Sequence, residues 1–452
     1  MMNRSNEILL ENQLLDMLFG KITLLQPINE KEAIIAHAIE WIRASSDSSK
    51  YREIFEEFKD ENKRKEFIHR FLSFGIIEDL LCDQQVEDII INCTNVIFVH
   101  HAEKGFIPTK FKFSDVIELD LFVRKLILFS GRPELKKIIN LELPNLEGRV
   151  NIVASPFGPQ ITITKTKVDP LSVIDLVERG TLTYLLAAQL WLYIEGLSIK
   201  PANIIVTGGP GTGKTTLLNA LFSFVPKKER VIVIEDTLEL NTLHENSCSR
   251  LESDDDMSLA DLVKNTLRMR PERIIVGEVR GAEAADLITA MNVGKYCMGT
   301  IHALTAREAI LRLENEPMNV PELLVNLIDV FIVLKRFHVK DKIYRVVDEV
   351  SETGGMEQKT ILLSTIFKYD YEKKNIEVIS PSTIFRDKLA RSSGLSAKEI
   401  MDEVRVRTNV LKTLADKGIQ SINEVTMFCH AYNADPQSAL ASIGLDRSKI
   451  LR

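Results

Sequence analysis

The run from Ile204 to Thr216 reads I-I-V-T-G-G-P-G-T-G-K-T-T. An apolar stretch enters a glycine-rich turn, and Lys214-Thr215-Thr216 then opens a helix. Gly208 and Gly213 enclose four residues, with Lys214 and Thr215 directly after them, which is the spacing of a phosphate-binding loop. The chemistry asks for these residue types. Glycines let successive backbone N–H groups curl around an anion with no Cβ in the way. The helix start adds unpaired N–H groups and the positive end of its dipole. Gly208, Gly209, Pro210, Gly211, Thr212, Gly213, Lys214, Thr215 and Thr216 are therefore expected to cradle the phosphates of a nucleoside triphosphate. Lys214 would reach the β- and γ-phosphates, and the Thr215 hydroxyl would ligate Mg²⁺.

Such a loop works with carboxylates near the metal and the attacking water. Val231-Ile232-Val233-Ile234 runs into Glu235-Asp236-Thr237-Leu238-Glu239, and Arg273-Ile274-Ile275-Val276 runs into Gly277-Glu278-Val279-Arg280. In an open α/β sheet both strands would deliver their carboxylates to the ligand edge. Met298-Gly299-Thr300-Ile301 leads to His302-Ala303, which makes His302 a candidate for contacting the γ-phosphate.

The elements that must position these residues can be read around them. The short apolar runs, separated by helical segments, have the pattern of a parallel sheet covered on both faces. Ser258-Leu259-Ala260-Asp261 is a capping box opening one of the helices. Upstream, residues 1–73 read as helices with a polar break at Ser45–Ser49. Residues 74–168 change to an α+β texture. Val86–Asn92 and Val96–His101 look like paired strands around Cys93-Thr94-Asn95, Ser114–Phe129 like a helix capped by Ser114, and Ile161–Lys165 like an alternating strand. Asp169-Pro170 marks a linker, and residues 169–383 hold the phosphate-loop domain. Residues 384–452 are helical again, with capping boxes at Ser396–Glu399 and Ser421–Glu424 and a stop at Lys417-Gly418.

Composition bounds the class. The chain has 452 residues, enough for two or three domains, and 45% are hydrophobic and 27% charged, as in a chain that buries a core. The net charge of -7 gives no support to a protein that coats nucleic acid. Cys82, Cys93, Cys248, Cys297 and Cys429 are scattered with no C-x-x-C, which argues against a zinc site or disulfide framework and fits a reducing compartment. The charged first residues do not read as a secretory signal, and no apolar run is long enough to span a bilayer. Membrane work is expected to pass through partners.

Taken together, the boxes resemble a known family. Ile234–Leu240 looks like its Asp box, Leu267–Gly281 like its unusual Walker B with glutamate in place of aspartate, and Gly299–Ala303 followed by Ala306–Ala309 like its His box. With the phosphate loop these are four boxes in the order found in the type II/type IV secretion ATPases, hexameric motors of pilus assembly, protein secretion and conjugation. Arg312-Leu313-Glu314, then Pro317–Pro321 running into Ile328–Val333, is similar to the archaeal branch, which includes pilus and archaellum ATPases. The resemblance covers roughly Phe74 to Ile384. It implies an α/β fold: a RecA-type P-loop parallel-sheet domain, a smaller α+β N-terminal domain, and helical additions at both ends. It implies ATP and Mg²⁺ as cofactors and a homo-oligomer, a hexameric ring. That ring would be cytoplasmic and peripheral at the inner face of the cell membrane, held by a polytopic membrane platform protein, with no nucleic acid.

The resemblance also implies roles. Lys214 and Thr215 hold phosphates and Mg²⁺, and Glu278 supports the metal directly or through water. Glu239 orients the attacking water, with Glu278 as the alternative. His302 reads the γ-phosphate. Arg132 and Arg149 match N-terminal-domain arginines that reach the nucleotide, sometimes across a subunit boundary, and stabilise charge in the transition state. Three departures bear on turnover: Thr164-Lys165 stands where Arg-Lys is usual, Lys295-Tyr296-Cys297 where His-Asp-Gly is usual, and Leu304 where asparagine is usual. Two other readings stay open, a nucleic-acid motor (DNA-transfer ATPase or helicase) and a nucleotide-gated ring with little turnover.

Overall fold

The computed structural model describes the chain apart from residues 1–3, 23–25, 46–49, 131–136, 144–147, 157, 166–169, 241–246, 254–255, 341 and 359. It divides into two units, residues 1–168 and residues 169–452.

In the first unit six strands form an antiparallel sheet: β1 Val86–Ile91, β2 Ile97–His101, β3 Gly105–Pro108, β4 Ile138–Leu143, β5 Gly148–Ser155 and β6 Gly158–Lys165. Their order is β3-β2-β1-β6-β5-β4. Alternation along β5 and β6 sends Val150, Ile152, Ile161 and Ile163 to one buried face. The helix Val116–Ser130 packs against β4 and β6, and the helix Arg4–Leu18 packs against it in turn. Phe71, from the helix Glu61–Leu72, meets Phe129 edge-on at 6.5 Å. The helix expected from Ser114 starts at Val116, and Asp115 caps it. The Glu118 N–H donates to Asp115 Oδ1 at 2.9 Å, while the Ser114 N–H donates to Glu118 Oε2 at 2.7 Å. The later start puts Asp115 where a side-chain acceptor meets the first unpaired N–H groups.

The second unit is built on a nine-stranded sheet. Its strands are β7 Ile204–Gly208, β8 Val231–Glu235, β9 Cys248–Glu252, β10 Arg273–Val276, β11 Tyr296–Ile301, β12 Val330–Val339, β13 Lys342–Glu357, β14 Thr360–Asp370 and β15 Asn375–Val378. The order is β15-β14-β13-β12-β7-β11-β10-β8-β9. From β12 to β9 every neighbour is parallel; β13 to β15 extend the sheet antiparallel. Every residue of β7, β8 and β10 is buried, as expected of central parallel strands covered on both faces. The sheet therefore joins a parallel core to an antiparallel wing that the spacing of apolar residues did not reveal.

The capping boxes at Ser258, Ser396 and Ser421 are all formed, and a fourth at Ser172 opens the helix Val173–Glu178. The helices after Ile384 share one core with the sheet. Trp191, on the buried helix Tyr184–Glu195, stacks on Phe224 at 5.2 Å and meets Tyr432 of the tail at 5.1 Å. Among the described residues no helix is long and apolar enough to cross a membrane.

A buried charge cluster pins the tail. Arg407, 2% exposed, donates to Glu195 Oε2 at 2.5 Å and Glu403 Oε1 at 3.0 Å, and lies 4.8 Å from the Trp191 ring. Burial pushes the Glu403 carboxyl up, but Arg407, the Tyr432 hydroxyl and Arg447 outweigh it and hold the group below its usual range. A depressed carboxylate adds stability that is complete above its unfolded value and is lost as pH falls through its folded value. Arg407→Ala leaves the buried Glu195 carboxylate without its cation and Glu403 with Arg447 alone, and should cost about 3–5 kcal/mol. The gap in stability between parent and variant should narrow as pH falls through the folded value of Glu403, because the parent then loses the pairing that the variant already lacks. Denaturant titration followed by Trp191 fluorescence in a Trp41→Phe background checks this, and a loss below ~1 kcal/mol would contradict the role given to the cluster.

Candidate functional site

The parallel registers bring four strand ends to one edge. Ile301 is level with Thr207 and Leu334 with Gly208, while Val276 is level with both Ile234 and Gly299. The loops that follow β7, β8, β10 and β11 therefore open side by side at the carboxyl edge, where open α/β sheets bind ligands.

The phosphate loop is shaped by close approaches. A Cβ on Gly208 would lie 2.6 Å from Thr212 Oγ1 and 2.7 Å from the Leu334 carbonyl oxygen, so only glycine fits there. Gly213 precedes the helix Lys214–Leu221 with φ +92°, a left-handed conformation that glycine adopts without strain. Thr212 Oγ1 donates to the Gly209 carbonyl at 2.9 Å, and Thr207 Oγ1 to the Ala303 carbonyl at 2.8 Å. The second bond fastens β7 to the residue after His302.

Five predicted or adjacent side chains meet here in one line. Lys214 is buried, and its ammonium donates to the carbonyls of Gly208 and Gly209 at 3.0 and 3.1 Å. It also lies 3.2 Å from His302 Nδ1. An ammonium only donates, so Nδ1 accepts and the ring proton sits on Nε2. Nε2 is 2.8 Å from Glu278 Oε1. Glu278 Oε2 accepts from Arg280 Nη2 at 2.6 Å, and Arg280 Nη1 is 3.8 Å from Asp236 Oδ2 on the neighbouring strand end. Burial, and then the nearby Lys214 cation, lower the His302 pKa and favour the neutral ring. Burial also lowers the Lys214 pKa against the pull of Glu278. Burial raises the Glu278 pKa, but Arg280, His302 and Lys214 prevail and keep it ionised.

Glu239 is placed through its backbone. Glu235, 3% exposed, accepts the N–H groups of Glu239 and Leu240 on Oε1, both at 3.0 Å, and Arg250 lies 3.8 Å from Oε2. The Gly277 N–H donates to the Ile234 carbonyl at 2.9 Å, which ties this loop to the Glu278 strand end. Glu235 thus shapes the Asp box, a role its sequence position did not suggest. Arg280, seen only as part of the Glu278 motif, and Arg312, which donates to the His302 carbonyl, were missed as positioning groups. Both depend on contacts that sequence spacing does not encode.

Glu278 Oε1 is sealed from solvent and has no aligned hydrogen bond, although His302 Nε2 is near. Such a carboxylate oxygen fits a cation or a water held by one. Thr215 follows Lys214 in the first turn of the helix. The two suit Mg²⁺, which takes one or two protein groups and fills its shell with phosphate oxygens and water.

Of the arginines, Arg132 lies outside the described residues, and Arg149 is half-buried on β5 with Thr164 and Glu142 as its cross-strand neighbours. At the departures, Thr164 donates to Asp88 at 2.7 Å and Lys165 to the Asp83 carbonyl at 2.6 Å. Cys297 is buried in β11, where desolvation pushes its thiol pKa well up and keeps it protonated. Leu304 is 58% exposed beside a cavity of about 480 Å³ lined also by Gly209, Pro210, His302 and Arg312.

The second unit is thus a P-loop α/β domain with its acidic and histidine strand ends gathered around the loop. The family described as Type II/IV secretion system protein matches residues 133–340. A probable conjugal transfer protein TrbB of Sinorhizobium fredii is 31% identical over 277 residues, covering 57% of this chain and 82% of its own length. An uncharacterized protein of Methanocaldococcus jannaschii, MJ0900, is 30% identical over 365 residues, 77% of this chain; the chain spans 65% of that relative's length. The Legionella pneumophila ATPase DotB aligns with a TM-score of 0.43 at 20% identity, over 73% of this chain and 86% of that one. The chain belongs to the type II/IV secretion system protein family.

The close approach at Gly208 is directly testable. Gly208→Ala drives a methyl group into a backbone carbonyl of β12, so the loop must shift. Affinity for ATP should fall at least about tenfold while the melting temperature changes by only a few degrees. Unchanged affinity would mean that the loop conformation is not what binds the phosphates.

Proposed function

We propose that this chain is an ATPase motor of the secretion family, working as a homo-hexameric ring in the cytoplasm. Its hydrolysis would drive assembly or secretion by a type IV pilus-like, archaellum or type II secretion machine, through a polytopic membrane platform protein. The observation that carries the reading is the contact line from Lys214 through His302 to Glu278 at the mouth of the phosphate loop.

In this reading Lys214 exchanges two loop carbonyls for phosphate oxygens, a stronger, charge-assisted set of bonds. Its departure leaves His302 Nδ1 without its donor, so His302 is placed to respond to whatever the lysine holds. Glu278, kept ionised, either faces the cation site or orients water; Glu239, on the loop shaped by Glu235, is the first choice for the water. Thr215 and Glu278 would hold Mg²⁺, which supplies charge neutralisation at the β- and γ-phosphates. Arg132 and Arg149 would serve the transition state, in trans if the ring shares its sites. A second reading, a motor of DNA transfer, is favoured by the conjugal transfer relatives and would be marked by DNA-stimulated turnover.

Steady-state phosphate release tests the assignment. Lys214→Ala should lower turnover by at least about 10²-fold, and a rate within twofold of the parent in a folded variant rejects the ATPase reading. Glu239→Gln and Glu278→Gln should keep ATP binding and lose turnover, since each keeps shape and removes charge. Loss of binding instead would reassign that residue. Mixing Arg149→Ala chains with Lys214→Ala chains should restore activity only if the sites are shared, once subunit exchange has been demonstrated by energy transfer between labelled chains.

A further inference from the structure

The hairpin of β12 and β13 carries two arginines to the phosphate loop. Arg336 and Arg345 stand directly opposite one another across the antiparallel pair. Arg345 Nε donates to the Gly211 carbonyl at 3.0 Å, and its Cδ lies 3.8 Å from where a Cβ on Gly213 would stand. Arg336 Nη1 lies 3.0 Å from the equivalent point on Gly211. Both side chains are half-buried. Like charges directly opposite in a ladder repel. A fold that nonetheless holds both against an anion-binding loop gains from an anion beside them.

The topology says which part of the ligand that is. Strand β7 has two neighbours. On one side lies β11, ending at His302, with β10 and Glu278 beyond it; on the other lies β12. Leu334 is level with Gly208, so Arg336 stands two residues past the carboxyl end of β7. A triphosphate whose γ end faces Lys214, His302 and Glu278 leaves the loop on the flank away from them. That is the β12 flank. We infer that Arg336 and Arg345 bind the α-phosphate and ribose end of the nucleotide held by the loop of their own chain. This rests on the ATPase reading above. A guanidinium is a planar fork of five N–H donors, always charged, and can serve a loop carbonyl and a phosphate together. The α-phosphate and ribose are unchanged by hydrolysis. The pair therefore grips substrate and product alike and sets affinity more than turnover.

Calorimetric titration of ATP and of ADP, at fixed Mg²⁺ and salt, tests this with Arg336→Gln, Arg345→Gln and the double variant. Each single change should weaken both nucleotides by a similar factor, about tenfold. KM for ATP should rise in parallel while kcat stays within about threefold, and Arg345→Lys should recover only part of the affinity. Weaker ATP binding with unchanged ADP binding would put the arginines at the γ end and overturn the inference. So would affinities within twofold of the parent in variants that melt as the parent does. If the double variant does not fold, the single variants carry the test. A parent chain that binds neither nucleotide removes the ATPase reading itself. A parent that binds ATP, a Lys214→Ala chain that does not, and arginine variants that bind as the parent would remove only this inference.

Discussion

The parallel register of β7 with its two neighbours is the constraint on which the site depends. Side chains in a strand repeat every two residues, so a slip of one residue would turn the buried runs of β7, β8 and β10 inside out. With Thr207 level with Ile301 and Gly208 level with Leu334, the phosphate loop, the His302 turn and the β12 hairpin open at one height. The loops themselves contribute little rigidity to this. Their positions are inherited from strands whose every residue is buried in the sheet.

What gathers at that edge is a balance of charge in which no group is left in its ordinary surroundings. Lys214 is buried on carbonyls, Glu278 lies between His302 and Arg280, and Glu235 is turned inward onto two backbone N–H groups. A buried ammonium held by neutral carbonyls is solvated but not neutralised. An arriving phosphate offers Lys214 a better partner without removing any it needs. The loop is thus strained toward binding by electrostatics more than by backbone distortion.

The parts of this arrangement that could be read from the sequence are those set by local spacing. The phosphate loop, the apolar runs that became β8, β10 and β11, and the capping boxes at Ser258, Ser396 and Ser421 each lie within one short window. The parts that could not be read depend on pairing across the chain. Strand β9 has no buried residue and no apolar signature, and the β13–β15 wing mixes charged and apolar residues because Asp348 of β13 pairs there with Lys368 of β14 and with Lys335 of β12. Glu235 looked like one more acidic residue at a strand end; only the fold back of Glu239 and Leu240 makes it a scaffold. Arg312 reaches the His302 carbonyl from ten residues away on a separate helix.

The two edges of the sheet are held by different physics, and this bears on where motion can occur. At the amino edge the contacts are buried and mutually satisfied. Arg273 pairs with Glu229 at 2.7 Å and donates to the Ile194 carbonyl at 2.8 Å. Asn203 holds Asp329 and the Leu327 carbonyl through its two N–H groups and accepts the Cys297 N–H, while Lys388 pairs with Asp329 from the tail. Breaking one partner of such a buried pair costs about 3–5 kcal/mol, so this edge and the tail move as one body. At the carboxyl edge the contacts of Lys214, His302, Glu278 and Arg345 are ones a phosphate can replace. Exchange of those contacts would let loops and the β12–β13 hairpin shift over a fixed base. A ligand with a different affinity for the two loop arrangements is then sufficient to drive the shift, with no rearrangement of the core required.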